Sequence, residues 1–556
     1  MTVNNNQKRN NHPAEIMQRE DDYRQQGWWS GERLQERYAK TVLERGADLA
    51  VVDNRGKSLT HSELWTASGK MADALSQQGV RKGDVVIIFM PNQVEWQGSL
   101  LGILRMGGIP ANLPTRIDVD NFRYVTELTG SRAIITIERH GSTPTGDIAR
   151  SAAEHCEHQL DVLLIDENAQ NWAVFLDKPF PSAPDVSGLD HIMFTSSTTG
   201  RPKAVMHSAD TLAALNITFT ERFSLGPHDS IFMASPLGHS VGTIHGARLS
   251  LFNGAPLVLQ DVWNANEALK MITDYNCVFT AAATPFLKDL VETEWKEGEP
   301  KLSPMRWFLC GGAQVPPDLM LKAKEQFPNT FVTLLWGMTE GGLTTAIRGT
   351  PPEKTINTAG IGLPGLEMRI LNPEPEATLA EALPCGEVGE LTIRGPGVFI
   401  GYYGQEDLYK SLLTEDGYFR TGDLAMLDHE GYLRITGRLK DLIIRGGVNI
   451  SPVPIEDALA AHPEVSAVAV IGFPDERMGE LLCAVIIPER MSVPQAEIPT
   501  LENLNAFLRE QGLPKYHCPE LLRIVEKFPS TPAGKIRKAV LREQIIKVAV
   551  QENRDL

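Results

Sequence analysis

SELWTASGKMADALSQQGVRKGDVVIIFMPNQVEWQGSLLGILRM, residues 62–106, carries three hydrophobic rhythms in succession. Residues 62–78 repeat apolar side chains at helical spacing, VVIIFM at 85–90 is a short unbroken apolar run, and helical spacing returns over 94–106. A continuous apolar run of that length, bounded by helices, predicts a strand buried on both faces. Outward from this segment the alternation repeats, with strand-like runs at 132–137, 161–165, 191–195, 230–233, 256–259 and 277–280. Strands separated by helices predict α/β layers with largely parallel sheets.

Past Gly360 the rhythm shortens. EVGELTIRG, GYFRTGDLAMLD and GYLRITGR are brief strands between Gly turns and predict a smaller antiparallel subdomain. GRLKDLIIRGGVNI then leads into IEDALAAHPEVSAVAVIG, a helix followed by a strand, and a mixed tail. The expected organisation is a disordered tail at 1–20, a large N-terminal α/β domain at 21–439 that ends in the antiparallel subdomain, and a small C-terminal α+β domain at 441–556, with the boundary at Lys440. A chain of 556 residues is too long for one core, which agrees with two domains.

The net charge of −17 argues against a general nucleic-acid surface and for a soluble cytoplasmic protein. It does not exclude an anionic small ligand, because a few local donors outweigh distant charge. Six cysteines without a CxxC pair predict reduced thiols and no structural zinc site. The first residues, MTVNNNQKRNNHPAE, lack the apolar core of a signal peptide, and no apolar run reaches the roughly 20 residues of a membrane span. The sequence leaves the oligomeric state open, a homodimer included.

Four motifs carry chemistry. FTSSTTGRPK (194–203) opens from a strand into Thr195, Ser196, Ser197, Thr198, Thr199 and Gly200 and closes on Lys203. Small hydroxyls, bare backbone N–H groups and one Lys suit phosphate oxygens, although the GxxxxGK[ST] pattern is absent and a solvated Ser/Thr turn fits this stretch equally well. LLWGMTEGG (334–342) offers Trp336 as a flat face for a base, Gly337 for close approach, Thr339 as a phosphate donor and Glu340 as a Mg²⁺ ligand. YFRTGDLAMLD and GYLRITGRLKD supply Asp423, suited to paired donors such as two vicinal hydroxyls, and Arg438. PSTPAGKIRK (529–538) presents Lys535 in a Pro-rich loop. Taken singly each has a bland explanation; all four occur, in order, within one chain.

Together they resemble the adenylate-forming superfamily of acyl-CoA synthetases, adenylation domains and beetle luciferases, over about residues 25–545. LVLQDVWNANEAL, AAATPFLKDLVE, WFLCGGAQVP and LKDLIIRGGVNIS look most like the bacterial short- and medium-chain acyl-CoA and cyclohexanecarboxylate CoA ligases. The resemblance implies that the 195–203 loop encloses the β- and γ-phosphates of ATP. It implies an adenine pocket of Gly312, Ala313, Gln314 and Trp336, an α-phosphate contact at Thr339, and Mg²⁺ on Glu340. Asp423 would take the ribose hydroxyls with help from Arg438, and Lys535 would reach in from a mobile C-terminal domain hinged at Lys440. Gly446 and Gly447 would line the coenzyme A channel after that domain rotates, and His239 of SPLGHSVGTIHG matches a motif whose ring gates the acyl site. Departures are Ser197 for a usual Gly, Trp336 for a usual Tyr, and Val448 and Pro454 for usual Glu residues.

The implied activity is ligation of a carboxylic acid to coenzyme A through an acyl-adenylate. A carrier-protein acceptor, a luciferase-like oxygenase and a non-catalytic nucleotide-binding protein are the alternatives. The acyl pocket is expected from 232–243, 281–286, Gly311 and 336–343, including Gly238, Val241, Gly242, Thr284, Gly341 and Gly342. These are small or apolar and show no fixed cation, which suits an uncharged aliphatic or alicyclic acid.

Overall fold

Helix His61–Gln77, strand Val85–Phe89 and helix Val94–Met106 realise the three rhythms of the opening stretch. The first helix starts where Thr60 accepts from the Glu63 backbone N–H while the Glu63 side chain returns to the Thr60 backbone, a reciprocal cap. All five residues of the strand are buried, as its apolar run requires. In this computed structural model the described residues are 14–165, 170–173, 186, 188–195, 201–294, 301–312, 315–373, 382–491, 498–530 and 536–552.

Among the described residues, the large domain is built on two mainly parallel sheets. In the nine-stranded sheet Leu49–Asp53, Leu257–Leu259, Ser230–Met233, Cys277–Ala283, Trp307–Gly311 and Phe331–Gly337 run parallel side by side. In the eight-stranded sheet Leu189–Thr195, Ile109–Asn112, Val85–Phe89, Ala133–Thr136 and Asp161–Ile165 do the same. Its edge turns antiparallel, with Lys203–Ser208 pairing both Leu189–Thr195 and Gly401–Tyr402. Ligands of open parallel sheets sit beyond the carboxyl ends of the strands. Thr195, Gly311 and Gly337 close three such strands, and Thr284 follows a fourth.

The antiparallel subdomain is a four-stranded sheet of Glu367–Leu371, Gly389–Arg394, Phe419–Leu427 and Leu433–Arg438. One turn, Leu439–Asp441, separates it from Ile443–Arg445, which joins the five-stranded sheet of the C-terminal part. Lys440 lies in that turn. Across it, Ser451 Oγ donates to the Thr436 carbonyl at 2.7 Å.

The expected tail is corrected at 14–20. Helix Ala14–Gln25 begins there, Arg24 pairs with Glu20 and Asp21 one turn back, and Arg19 donates to the Asp416 carbonyl at 2.7 Å. Local ion pairs and one long-range anchor order a segment whose composition reads as solvated. No helix of the described residues is long and apolar enough to cross a membrane.

Candidate active site

Strands Phe419–Leu427 and Leu433–Arg438 pair with Asp423 opposite Arg438, so register alone sets these two side by side. Arg438 Nε lies 2.8 Å from Asp423 Oδ1. Trp336, near the end of Phe331–Gly337, donates its Nε1–H to the other oxygen, Oδ2, at 2.9 Å. Asp423 is buried, and these two donors hold its carboxylate in a fixed plane. Each carboxylate oxygen has two lone-pair directions, so both can still accept from ligand hydroxyls. Over the same Trp336 lies Gly342, at φ +83°, where a Cβ would meet the indole Cζ3 at 3.3 Å and Ile393 Cδ1 at 2.8 Å. Only glycine lets the loop lie this close over the ring.

Between Trp336 and Gly342 the loop presents Thr339 and Glu340. Its backbone is fixed on two sides: the Phe399 N–H donates to the Glu340 carbonyl and His207 Nε2 contacts the Thr339 carbonyl, each at 2.8 Å. The side chains are held too, with Tyr402 OH donating to Glu340 Oε1 at 2.6 Å and Thr339 Oγ1 lying 3.1 Å from Ser240 Oγ. Ser240 follows His239, so the expected acyl gate and the expected α-phosphate contact adjoin. Burial pushes the Glu340 carboxyl above its ordinary range, opposed by the Tyr402 hydrogen bond and the Lys203 charge. Among the described residues no cation is in ion-pair contact with Glu340. A buried carboxylate with no ion-pair partner among the described residues fits a Mg²⁺ ligand, since Mg²⁺ commonly takes one or two carboxylates together with substrate phosphates.

Lys203 pairs with Thr195 across the hairpin, which brings the two ends of the hydroxyl-rich loop together. Its Nζ lies 4.9 Å from the centre of the Tyr402 ring. Lys203 and Asp423 both bear electrostatically on Glu340, and Lys440 is lowered by burial and then by Arg438, with Asp441, Asp423 and Lys203 also acting on it. Lys203, Glu340, Asp423, Arg438 and Lys440 therefore share one field. Ser196, Ser197, Thr198, Thr199, Gly200, Ala313, Gln314 and Lys535 lie outside the described residues.

At the expected acyl pocket, the structure gives Gly238 and Gly242 a packing reason. A Cβ on Gly238 would fall 2.5 Å from the Leu113 carbonyl oxygen, and one on Gly242 would strike the Pro236 carbonyl. Gly311 and Gly341 are similarly pressed by the carbonyls of Leu335 and Gly397. His239 caps the short helix Ser240–Gly242, half-buried Val241 packs against the main core, and a π-helical turn, Thr243–Arg248, follows. Such turns recur at functional sites. Gly312 follows its strand at φ +84°. Gly446 and Gly447, at φ +56° and +83°, form a two-residue turn between Arg445 and Val448, a hairpin in which both central residues need positive φ.

Tyr402 and His207 carry contacts that the motif reading did not assign. Their signal is the two-residue period of a strand. Lys203, Val205 and His207 share one face of Lys203–Ser208, and Tyr402 pairs with Val205.

Comparison with known proteins adds to this geometry. The model of the AMP-binding enzyme family matches residues 38–403, and that of the AMP-binding enzyme C-terminal domain matches 454–535. The medium-chain fatty-acid–CoA ligase of Escherichia coli (strain K12) is 29% identical over 545 residues, covering 96% of this chain and 94% of that protein. The 3-[(3aS,4S,7aS)-7a-methyl-1,5-dioxo-octahydro-1H-inden-4-yl]propanoyl:CoA ligase of Rhodococcus jostii (strain RHA1) is 29% identical over 531 residues, covering 91% and 98%. The crystal structure of ATP-bound MatB from Rhodopseudomonas palustris is 25% identical with a TM-score of 0.80, covering 93% of this chain and 100% of that one.

Proposed function

This chain belongs to the AMP-binding enzyme family, and from that membership we propose that it is an ATP-dependent carboxylic acid:CoA ligase acting through an acyl-adenylate. The observation that carries the reading is the Trp336–Asp423–Arg438 cluster standing in one electrostatic field with Glu340 and Lys203. A flat aromatic, a carboxylate for vicinal hydroxyls, a buried metal-type carboxylate and a phosphate-type lysine form a nucleotide site.

In the first half-reaction a carboxylate oxygen of the acid attacks the α-phosphorus of ATP in line, and the bond to pyrophosphate breaks. Little covalent chemistry falls to the protein; positioning and neutralisation dominate. Asp423 orients the ribose, Trp336 offers its face to adenine, and the Thr339 hydroxyl donates to the α-phosphate. Lys203 and the 195–200 loop hold the phosphates that leave. Glu340 would hold Mg²⁺, which when bound spreads the phosphate charge. Lys535 brings a second cation to the attacking carboxylate. In the second half-reaction the coenzyme A sulfur attacks the acyl carbonyl and AMP departs. One face cannot offer a lysine and a thiol channel at once, so the segment beyond Lys440 swings between two orientations.

For the acid we propose an uncharged aliphatic or alicyclic chain. Gly238, Val241, Gly242, Gly341 and Gly342 of the pocket segments are small or apolar and include no fixed cation, and the two coenzyme A ligases above, each 29% identical, carry a medium-chain fatty acid and a ring-bearing propanoate in their names. A panel of acids assayed by pyrophosphate release, with and without coenzyme A, tests both parts. Release driven by amino acids or diacids in preference to apolar acids would overturn the substrate class.

A further inference from the structure

One face of strand Lys203–Ser208 touches three parts of the candidate site. Lys203 lies over the Tyr402 ring, Val205 packs in the cluster that holds Trp336 and Tyr402, and His207 reaches the backbone of Thr339. His207 is fully buried, and burial lowers its imidazole to about 4, so the ring is neutral at physiological pH. A carbonyl only accepts, so the proton sits on Nε2 and points at the Thr339 oxygen, 2.8 Å away. Nδ1 is then an acceptor, and the Thr211 hydroxyl lies 3.1 Å from it. Thr211 belongs to the N-terminal cap of helix Ala209–Phe223, where it answers Ser208. The Thr339 carbonyl thus sets the tautomer of His207, and a helix-cap hydroxyl stands at the ring's other nitrogen while Nε2 grips the loop between strands Phe331–Gly337 and Leu343–Thr345.

We propose that His207 is a positioning residue for adenylate formation: its Nε2–H pins the Thr339 carbonyl and so fixes where the Thr339 hydroxyl and the Glu340 carboxylate stand. The proposal rests on the ligase reading above. Neither His207 nor Thr211 touches a reacting atom. The loop has a second backbone anchor at Phe399 and a side-chain anchor at Tyr402, so it stays folded without His207 but loses the register of residue 339. Near-attack geometry tolerates little displacement; a shift of about 1 Å costs up to about 100-fold in rate.

The test is ATP–pyrophosphate exchange, driven by whichever acid of the panel is best, by H207L, H207Q and H207N. A glutamine amide reaches about as far as Nε2, an asparagine amide does not. H207L is expected to lower kcat about 10- to 100-fold while moving KM for the acid less than about twofold, as expected when only a transition-state interaction is lost. H207Q is expected to recover most of that kcat, and H207N to behave as H207L. Wild-type kcat in H207L overturns the proposal, as does equal exchange by H207Q and H207N, a comparison that decides the matter even where H207L fails to fold. Absence of acid-dependent exchange in the unsubstituted enzyme defeats the ligase reading and the proposal together. Normal exchange by both the enzyme and H207L defeats the proposal alone.

Discussion

Tyr402→Phe removes one oxygen from the site and leaves the packing in place. The Tyr402 ring is buried, lies 4.9 Å from the Phe399 ring centre and carries Lys203 Nζ over its face at 4.9 Å; phenylalanine keeps both contacts. What is lost is the 2.6 Å hydrogen bond to Glu340 Oε1. A hydrogen bond to a charged group is worth about 1.5–3 kcal/mol, more so where the carboxylate is buried. That energy converts to about 10- to 150-fold in rate or affinity. Without the hydroxyl, burial also pushes the Glu340 carboxyl further up, so less of it is ionised and able to hold a cation. The assay is acid-dependent ATP–pyrophosphate exchange titrated with Mg²⁺. The expected result is an exchange rate lower by that factor at limiting Mg²⁺, partly recovered as Mg²⁺ rises, with the circular dichroism spectrum unchanged. Wild-type exchange at every Mg²⁺ concentration would refute the assignment of Glu340.

Lys535→Ala is expected to lower acyl-AMP formation about 10²- to 10³-fold, the usual loss of one charge-stabilising group, while thioester formation from preformed acyl-AMP survives; equal loss of both steps in rapid-quench assays sinks the role. Lys440→Pro fixes φ near −65° in the turn between the two sheets, so adenylation is expected to persist and thioester formation to drop about tenfold or more; unchanged thioester rates count against a hinge. Stability has its own pH signature. His207 and His245 are both buried and both lowered by burial from 6.5 to about 4. Their unfolded forms bind protons first, so stability is unaffected above about 6.5 and falls as pH drops toward 4, by up to about 3 kcal/mol for each ring. Urea unfolding at pH 7.5 and pH 5 checks this, and an equal or higher midpoint at pH 5 contradicts it.

The alternation over residues 62–106 made the layered architecture legible because helix and strand periods are local properties. The partners Asp423 and Arg438 were legible as types, a carboxylate and a cation in neighbouring strands; their register came from pairing that the motifs do not spell out. His207 and Tyr402 were not legible. Each sits in a strand whose neighbours are chosen by the sheet, and their targets lie 132 and 62 residues away. Gly238 and Gly242 show the converse. Smallness reads in sequence as room for a substrate, yet the space a Cβ would fill holds the Leu113 and Pro236 carbonyls. The helix from Ala14 escaped a compositional reading because its anchor, the Asp416 carbonyl, is almost 400 residues downstream.

In the proposed reaction one site activates an acid as its adenylate before any thiol arrives. Acid-dependent ATP–pyrophosphate exchange without coenzyme A, followed by product analysis once coenzyme A is added, measures it directly. Exchange with an apolar acid is expected, then AMP and acyl-CoA in equal amounts. Formation of ADP and phosphate, or thioester synthesis with no exchange, would contradict it.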